Sequence, residues 1–139
     1  MAGKLIPVLP KRTYDFSNLR VGTVQQIVVA ERVDISRYID CVVAARVNSV
    51  TVAGSNSIKL DVYADGHTGE EPGLQFGAAA PFFSSVSLSI APFLVTYGGS
   101  VRGDYATVVL TATRGQVGTF NITLSADLVL RCPNAYEIG

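Results

Sequence analysis

Hydrophobic positions along this chain recur at every second residue. In FNITLSADLVLR, residues 120–131, one side takes Phe120, Ile122, Leu124, Ala126, Leu128 and Leu130. The other takes Asn121, Thr123, Ser125, Asp127, Val129 and Arg131. Strand side chains alternate between faces, so the pattern predicts a strand with one dry and one wet side. SIKLDVYA repeats it, with Ile58, Leu60, Val62 and Ala64 opposite Ser57, Lys59, Asp61 and Tyr63. In FSSVSLSI, Val86, Leu88 and Ile90 alternate with serines, and in YATVVLTAT, Ala106, Val108, Leu110 and Ala112 oppose Tyr105, Thr107, Val109, Thr111 and Thr113. Outward Thr, Val and Tyr fit a pleated surface better than a helix.

Two segments depart from clean alternation. TVQQIVVAE (residues 23–31) and IDCVVAARVNSVTV (residues 39–52) are apolar on both faces in places. Such strands are either central in a sheet or covered outside by a partner. No segment sustains a helical period with caps at both ends, although a single helical turn fits around residues 15–19. Turn signals punctuate the strands at AGSNS (53–57), YGGSVRGD (97–104) and RGQVGT (114–119). The last is compact, lies between two alternating runs, and predicts a β-hairpin. Seven or eight short strands so spaced predict an all-β chain, a single antiparallel β-sandwich of jelly-roll or Greek-key type with an extended N-terminal arm.

That arm is residues 1–20, ahead of a sandwich domain spanning 21–139. Pro7 and Pro10 bar it from a central strand. Its apolar side chains need a groove, either on its own sandwich or on a neighbour's, and the neighbour is the preferred choice. Leu5, Ile6, Val8, Leu9, Lys11, Arg12 and Phe16 are therefore the candidate partner-binding residues. On this view, removing residues 1–12 leaves the sandwich folded and weakens assembly.

Composition sharpens the expectation of a partner. A chain of 139 residues suits one domain. Apolar residues make up 48% and charged ones 16%, with a positive mean hydropathy, so some apolar surface is expected to be covered by another subunit. No apolar run approaches the ~20 residues of a membrane helix, and the first residues lack the apolar stretch of a signal peptide. Residues 1–20 carry Lys4, Lys11, Arg12 and Arg20 against Asp15, a net +3 that the remainder balances. A basic arm is complementary to an acidic body, its own or a copy's. With its excess of cations confined to one short arm and its other cations scattered, the chain offers no basic stripe for nucleic acid.

Candidate chemistry is sparse. The single histidine, His67, lies in ADGHTGEEPG with Asp65, Glu70 and Glu71, a spacing that matches no zinc or calcium motif and reads as a solvated loop. No G-x-S-x-G elbow is present, and paired carboxylates drawn from Asp61, Asp65, Asp104 and Asp127 lack a sugar-binding cleft, so no enzyme, metal or cofactor is expected. Cys41 and Cys132 match no metal spacing; each reads as a small buried hydrophobe, with a disulfide open only if neighbouring strands hold both. The tripeptide at Arg102, Gly103 and Asp104 sits in a Gly-rich turn, and the sequon at Asn121 lies within a predicted strand.

The phrase VDISRYIDCVVAARV (residues 33–47), a short V-D-I-S-x-Y lead-in to a long apolar strand followed by IKLDVYAD, resembles small β-sandwich structural proteins of tailed phages and related particles. The resemblance implies a virion component assembled in the host cytoplasm. Its role would be that of a capsid decoration or cementing protein, or of a tail-associated one. Its partners would be the major shell protein and copies of itself. The same cadence resembles sandwich carbohydrate-binding modules, for which Tyr63, Tyr97 and Tyr105 are the available platforms and the absence of Trp is a counter-argument.

Overall fold

The computed structural model describes residues 3–65, 86–89, 93–100 and 105–131. Eight strands run in order: β1 (Gly3–Asp15), β2 (Val24–Asp34), β3 (Asp40–Thr51), β4 (Ser57–Asp65), β5 (Val86–Ser87), β6 (Phe93–Ser100), β7 (Tyr105–Thr113) and β8 (Asn121–Arg131). They form two four-stranded antiparallel sheets, β1-β8-β3-β6 and β2-β7-β4-β5. First pairs with last, second with seventh, third with sixth and fourth with fifth, as in a long hairpin rolled onto itself. That order makes the sandwich a jelly roll. No helix occurs among the described residues, and none is long and apolar enough to cross a membrane.

The core is built by the alternation read from the sequence. Phe120, Ile122, Leu124, Ala126, Leu128 and Leu130 are all buried, and so are Ala106, Val108, Leu110 and Ala112 of the facing sheet. Ile58, Leu60, Val62 and Leu88 join them. Each large apolar side chain so buried contributes about 1.5–3 kcal/mol relative to an exposed one. Strand β3 is central, paired with β8 on one side and β6 on the other, with Cys41, Val43, Ala45 and Val47 in the core and Val42 and Ala44 half-buried on the outer face.

Four expectations are corrected. The N-terminal segment is extended, but over Gly3–Asp15 it is strand β1, laid along β8 of its own sandwich. Edge position is what Pro7 and Pro10 permit, since only one side of the strand carries ladder hydrogen bonds. RGQVGT closes no hairpin, because β7 and β8 belong to different sheets and this loop crosses between them. YGGSVRGD is strand for its first half, where Gly98 and Gly99 pair with Val42 and Cys41. Around residues 15–19 there is a turn rather than a helix, closed by the Leu19 N–H donating to the Phe16 carbonyl at 3.0 Å.

Candidate functional site

Loops β1–β2, β3–β4 and β7–β8 meet at one end of the sandwich, and Arg114 ties them. Its Nε donates to the Gln116 carbonyl at 2.7 Å, Nη1 to Phe16 at 2.9 Å and Nη2 to Gly118 at 2.7 Å. The guanidinium also lies 5.8 Å from the centroid of the Phe120 ring. Asn56 adds a second tie, its Oδ1 accepting from the N–H groups of Gly115 at 2.8 Å and Gln116 at 2.9 Å. Gly54 has a φ of +57° and a Cβ there would run into the Gln116 side chain, whose Oε1 accepts from the Ser55 N–H at 3.1 Å. This end is closed on itself by hydrogen bonds between its loops. It is scaffold.

The outer face of the β1-β8-β3-β6 sheet is different. Register places Leu5 opposite Val129, and Val129 opposite Val42, so three apolar side chains form a row across three strands. Leu5 is 57% exposed and Val129 40%. Beside the row, Asp40 and Arg131 form an ion pair across β3 and β8. Gly3, Lys4, Leu5, Asp40, Val42, Val129, Leu130 and Arg131 line a shallow concavity of about 510 Å³. This apolar row rimmed by charge and partly open to solvent is the candidate interaction surface.

Of the residues expected to bind a partner, only Leu5 lines this concavity; the others are exposed elsewhere or packed against the core. Leu5, Lys11 and Arg12 are exposed, with the Arg12 guanidinium 5.1 Å from the Tyr14 ring centroid. Ile6 is half-buried against the core, whereas Val8, Leu9 and Phe16 are inside it. Two consecutive residues can both point inward because register shifts interrupt β1 between Pro7 and Leu9 and again between Leu9 and Arg12. Phe16 stacks on Tyr14 at 6.1 Å and tilts against Phe120 at 5.4 Å. Val42 and Val129 escaped the sequence-based list. The available signal was Val129, an apolar residue on the otherwise polar face of β8.

On the β2-β7-β4-β5 sheet, residues expected to face water do not. Thr107 and Val109 are fully buried on the side away from the core, and Asp61 and Tyr63 are 5% and 7% exposed. Burial, and then the nearby Asp61 charge, raise the Tyr63 phenol above its ordinary pKa. A tyrosine so covered offers no platform to a sugar. Tyr105 is half-buried, and the Tyr97 side chain lies outside what is described. His67, Glu70, Glu71, Cys132 and the tripeptide at Arg102, Gly103 and Asp104 lie outside the described residues, as does the Asp65 side chain. Among the described residues, no group of three or more His, Cys, Asp or Glu side chains could hold a metal ion. Cys41 is a free, buried thiol, its pKa pushed up to about 11 by burial.

No family model and no curated protein sequence matches this chain. Solved structures do. A chain in the structure of infectious bursal disease virus, Gx strain, is similar over 97% of this chain, at 11% identity and a TM-score of 0.58. This chain spans about a third (34%) of that one. At such identity the likeness is one of fold. A chain of Bacillus endospore appendages, described as a novel family of disulfide-linked pili, overlays 96% of this chain and 93% of its own length, at 10% identity and a TM-score of 0.39.

Proposed function

We propose that this chain is a structural component of an assembled particle: a jelly roll that binds a symmetric shell and reinforces contacts between shell subunits, in the manner of a capsid decoration or cementing protein. Its partners on this reading are the major shell protein and copies of itself, and its place is the virion. The observation that carries the proposal is the row of exposed Leu5 and Val129 with half-buried Val42 on the outer sheet face, beside the Asp40–Arg131 pair. The jelly-roll fold shared with a chain of a virus structure supports it. So does the low charge fraction of 16%, which leaves apolar surface for a partner to cover. The covered Tyr63 weighs against the carbohydrate-binding alternative.

Co-sedimentation with purified shells, at low and high salt, tests the proposal. An apolar contact of ~1,200 Å² or more should survive added salt, because screening acts on exposed charges rather than on buried apolar area. Leu5→Asp with Val129→Asp should abolish co-sedimentation while leaving the fold intact, since both side chains are solvent-exposed. Failure of the wild type to sediment with shells, together with specific binding on a glycan array, would reject the structural role.

A further inference from the structure

Among the described residues, strand β2 pairs with β7 on one side only, so its other side is a sheet edge there. The two long edges that carry described side chains differ in how they are protected. Edge strand β1 carries Pro7, Pro10, two register shifts and the exposed cations Lys4, Lys11 and Arg12, all of which discourage pairing with another chain. Edge strand β2 has none of these from Val24 to Val28. Its register runs unbroken there, from Val24 opposite Thr113 to Val28 opposite Val109. Alternation sets Val24, Gln26 and Val28 on the face away from the core, and the two valines are 57% and 40% exposed. Beyond Val28, β2 has two register shifts and the charged residues Glu31, Arg32 and Asp34, so the template for strand addition is the uncharged, partly apolar run Val24–Val28.

The run itself identifies the occupant. Read outward from Gln26 in both directions, VQQIV presents first a residue of the opposite face, exposed Gln25 or half-buried Ile27, and then an exposed valine, Val24 or Val28. A two-fold interface requires one patch to be complementary to itself. We propose that β2 is the pairing edge for a second copy of this chain, running antiparallel to its own image about a two-fold axis at Gln26. In this register Val24 faces Val28 of the second copy at two symmetric contacts, covering four exposed valines. Gln26 meets its own image, and two carboxamides, each with a donor and an acceptor, can satisfy one another. No charged residue lies in the paired run, so none is buried. The two four-stranded sheets become one continuous sheet across the dimer. This deepens the structural role proposed above by naming the surface through which copies associate, yet it requires no shell.

The test uses the full chain, with mass measured by light scattering and sedimentation over a range of concentrations. The wild type is expected to be a dimer. V24K with V28K sets lysine opposite lysine at both contacts and should weaken the dimer about tenfold or more. V24K with V28E sets lysine opposite glutamate at the same contacts and should restore it. A wild type that stays monomeric, or two variants of equal mass behaviour, would overturn the pairing. Circular dichroism confirms that both variants fold. If either does not, Gln26→Cys in a Cys132→Ser background decides the matter. Oxidation should give a covalent dimer, because directly opposed residues of antiparallel strands lie within disulfide reach, and its absence would overturn the proposal. Since no shell enters this assay, loss of pairing leaves the co-sedimentation result standing, and failed co-sedimentation leaves the pairing standing.

Discussion

Asp34 and Asp15 show how much a short polar motif determines locally. The Asp34 Oδ1 accepts from the Ser36 N–H at 3.0 Å and from the Ser36 hydroxyl at 2.7 Å, and these two bonds, the amide first, hold its pKa below the ordinary 3.8. Asp15 is held down in the same way, by the Ser17 hydroxyl first and then its N–H. The V-D-I-S lead-in is thus an Asx turn, and a sequence of that form announces it. A carboxylate whose folded pKa is depressed stabilises the fold fully above its unfolded value, and loses that contribution as pH falls through the folded value. The melting temperature should therefore be flat near neutrality and decline below pH 3.8. Asp34→Asn keeps an acceptor for the Ser36 N–H but cannot titrate, so a pH series of melting curves should show a shallower acid decline with an unchanged neutral value. Superimposable acid limbs would show that Asp34 takes no part.

Among the elements, β1 carries the largest revision. Its prolines and cations were legible as signs of a segment outside the sheet centre, and that is where it lies. Its fate in the core was not legible, because the register shifts that turn Val8 and Leu9 inward depend on its pairing with β8. An exchangeable arm could be removed at little cost; an edge strand that supplies core side chains cannot. Deleting residues 1–12 should expose the edge of β8 and remove two buried apolar side chains, a loss of about 4 kcal/mol from these side chains alone. The expected result is loss of the cooperative thermal transition, followed by circular dichroism. A truncated chain that melts like the full one would return β1 to the status of a free arm.

At the scale of the whole molecule, Arg114 ties together the loops at one end of the sandwich. Its three side-chain bonds reach the carbonyls of Phe16, Gln116 and Gly118, joining the loop that enters β2 to the loop that enters β8. Its own backbone joins in, with the Arg114 N–H donating to Thr23 at 2.9 Å and its carbonyl accepting from Gly22 at 2.7 Å. Methionine would fill a similar volume and leave those carbonyls without a donor. Arg114→Met should therefore destabilise the fold by about 3 kcal/mol, as a shift in the denaturant midpoint with little change in slope. A shift within ~0.5 kcal/mol, typical of an ordinary surface position, would show the tie to be dispensable.

The sequence by itself determined which side of β4, β7 and β8 faces the core. Ile122, Leu124, Leu128 and their counterparts in β4 and β7 all lie where alternation puts them, because the pleat is a property of each residue's own backbone. Which strands become neighbours is a different kind of quantity. The row of Leu5, Val129 and Val42 joins residues from three distant parts of the chain, and RGQVGT crosses between sheets although its local composition suits a hairpin. The cover over Thr107 and Val109 was likewise absent from their strand's own pattern. Only the tertiary structure decided these points, since pairing is selected by burial summed over the whole sandwich and no short window of sequence contains that sum.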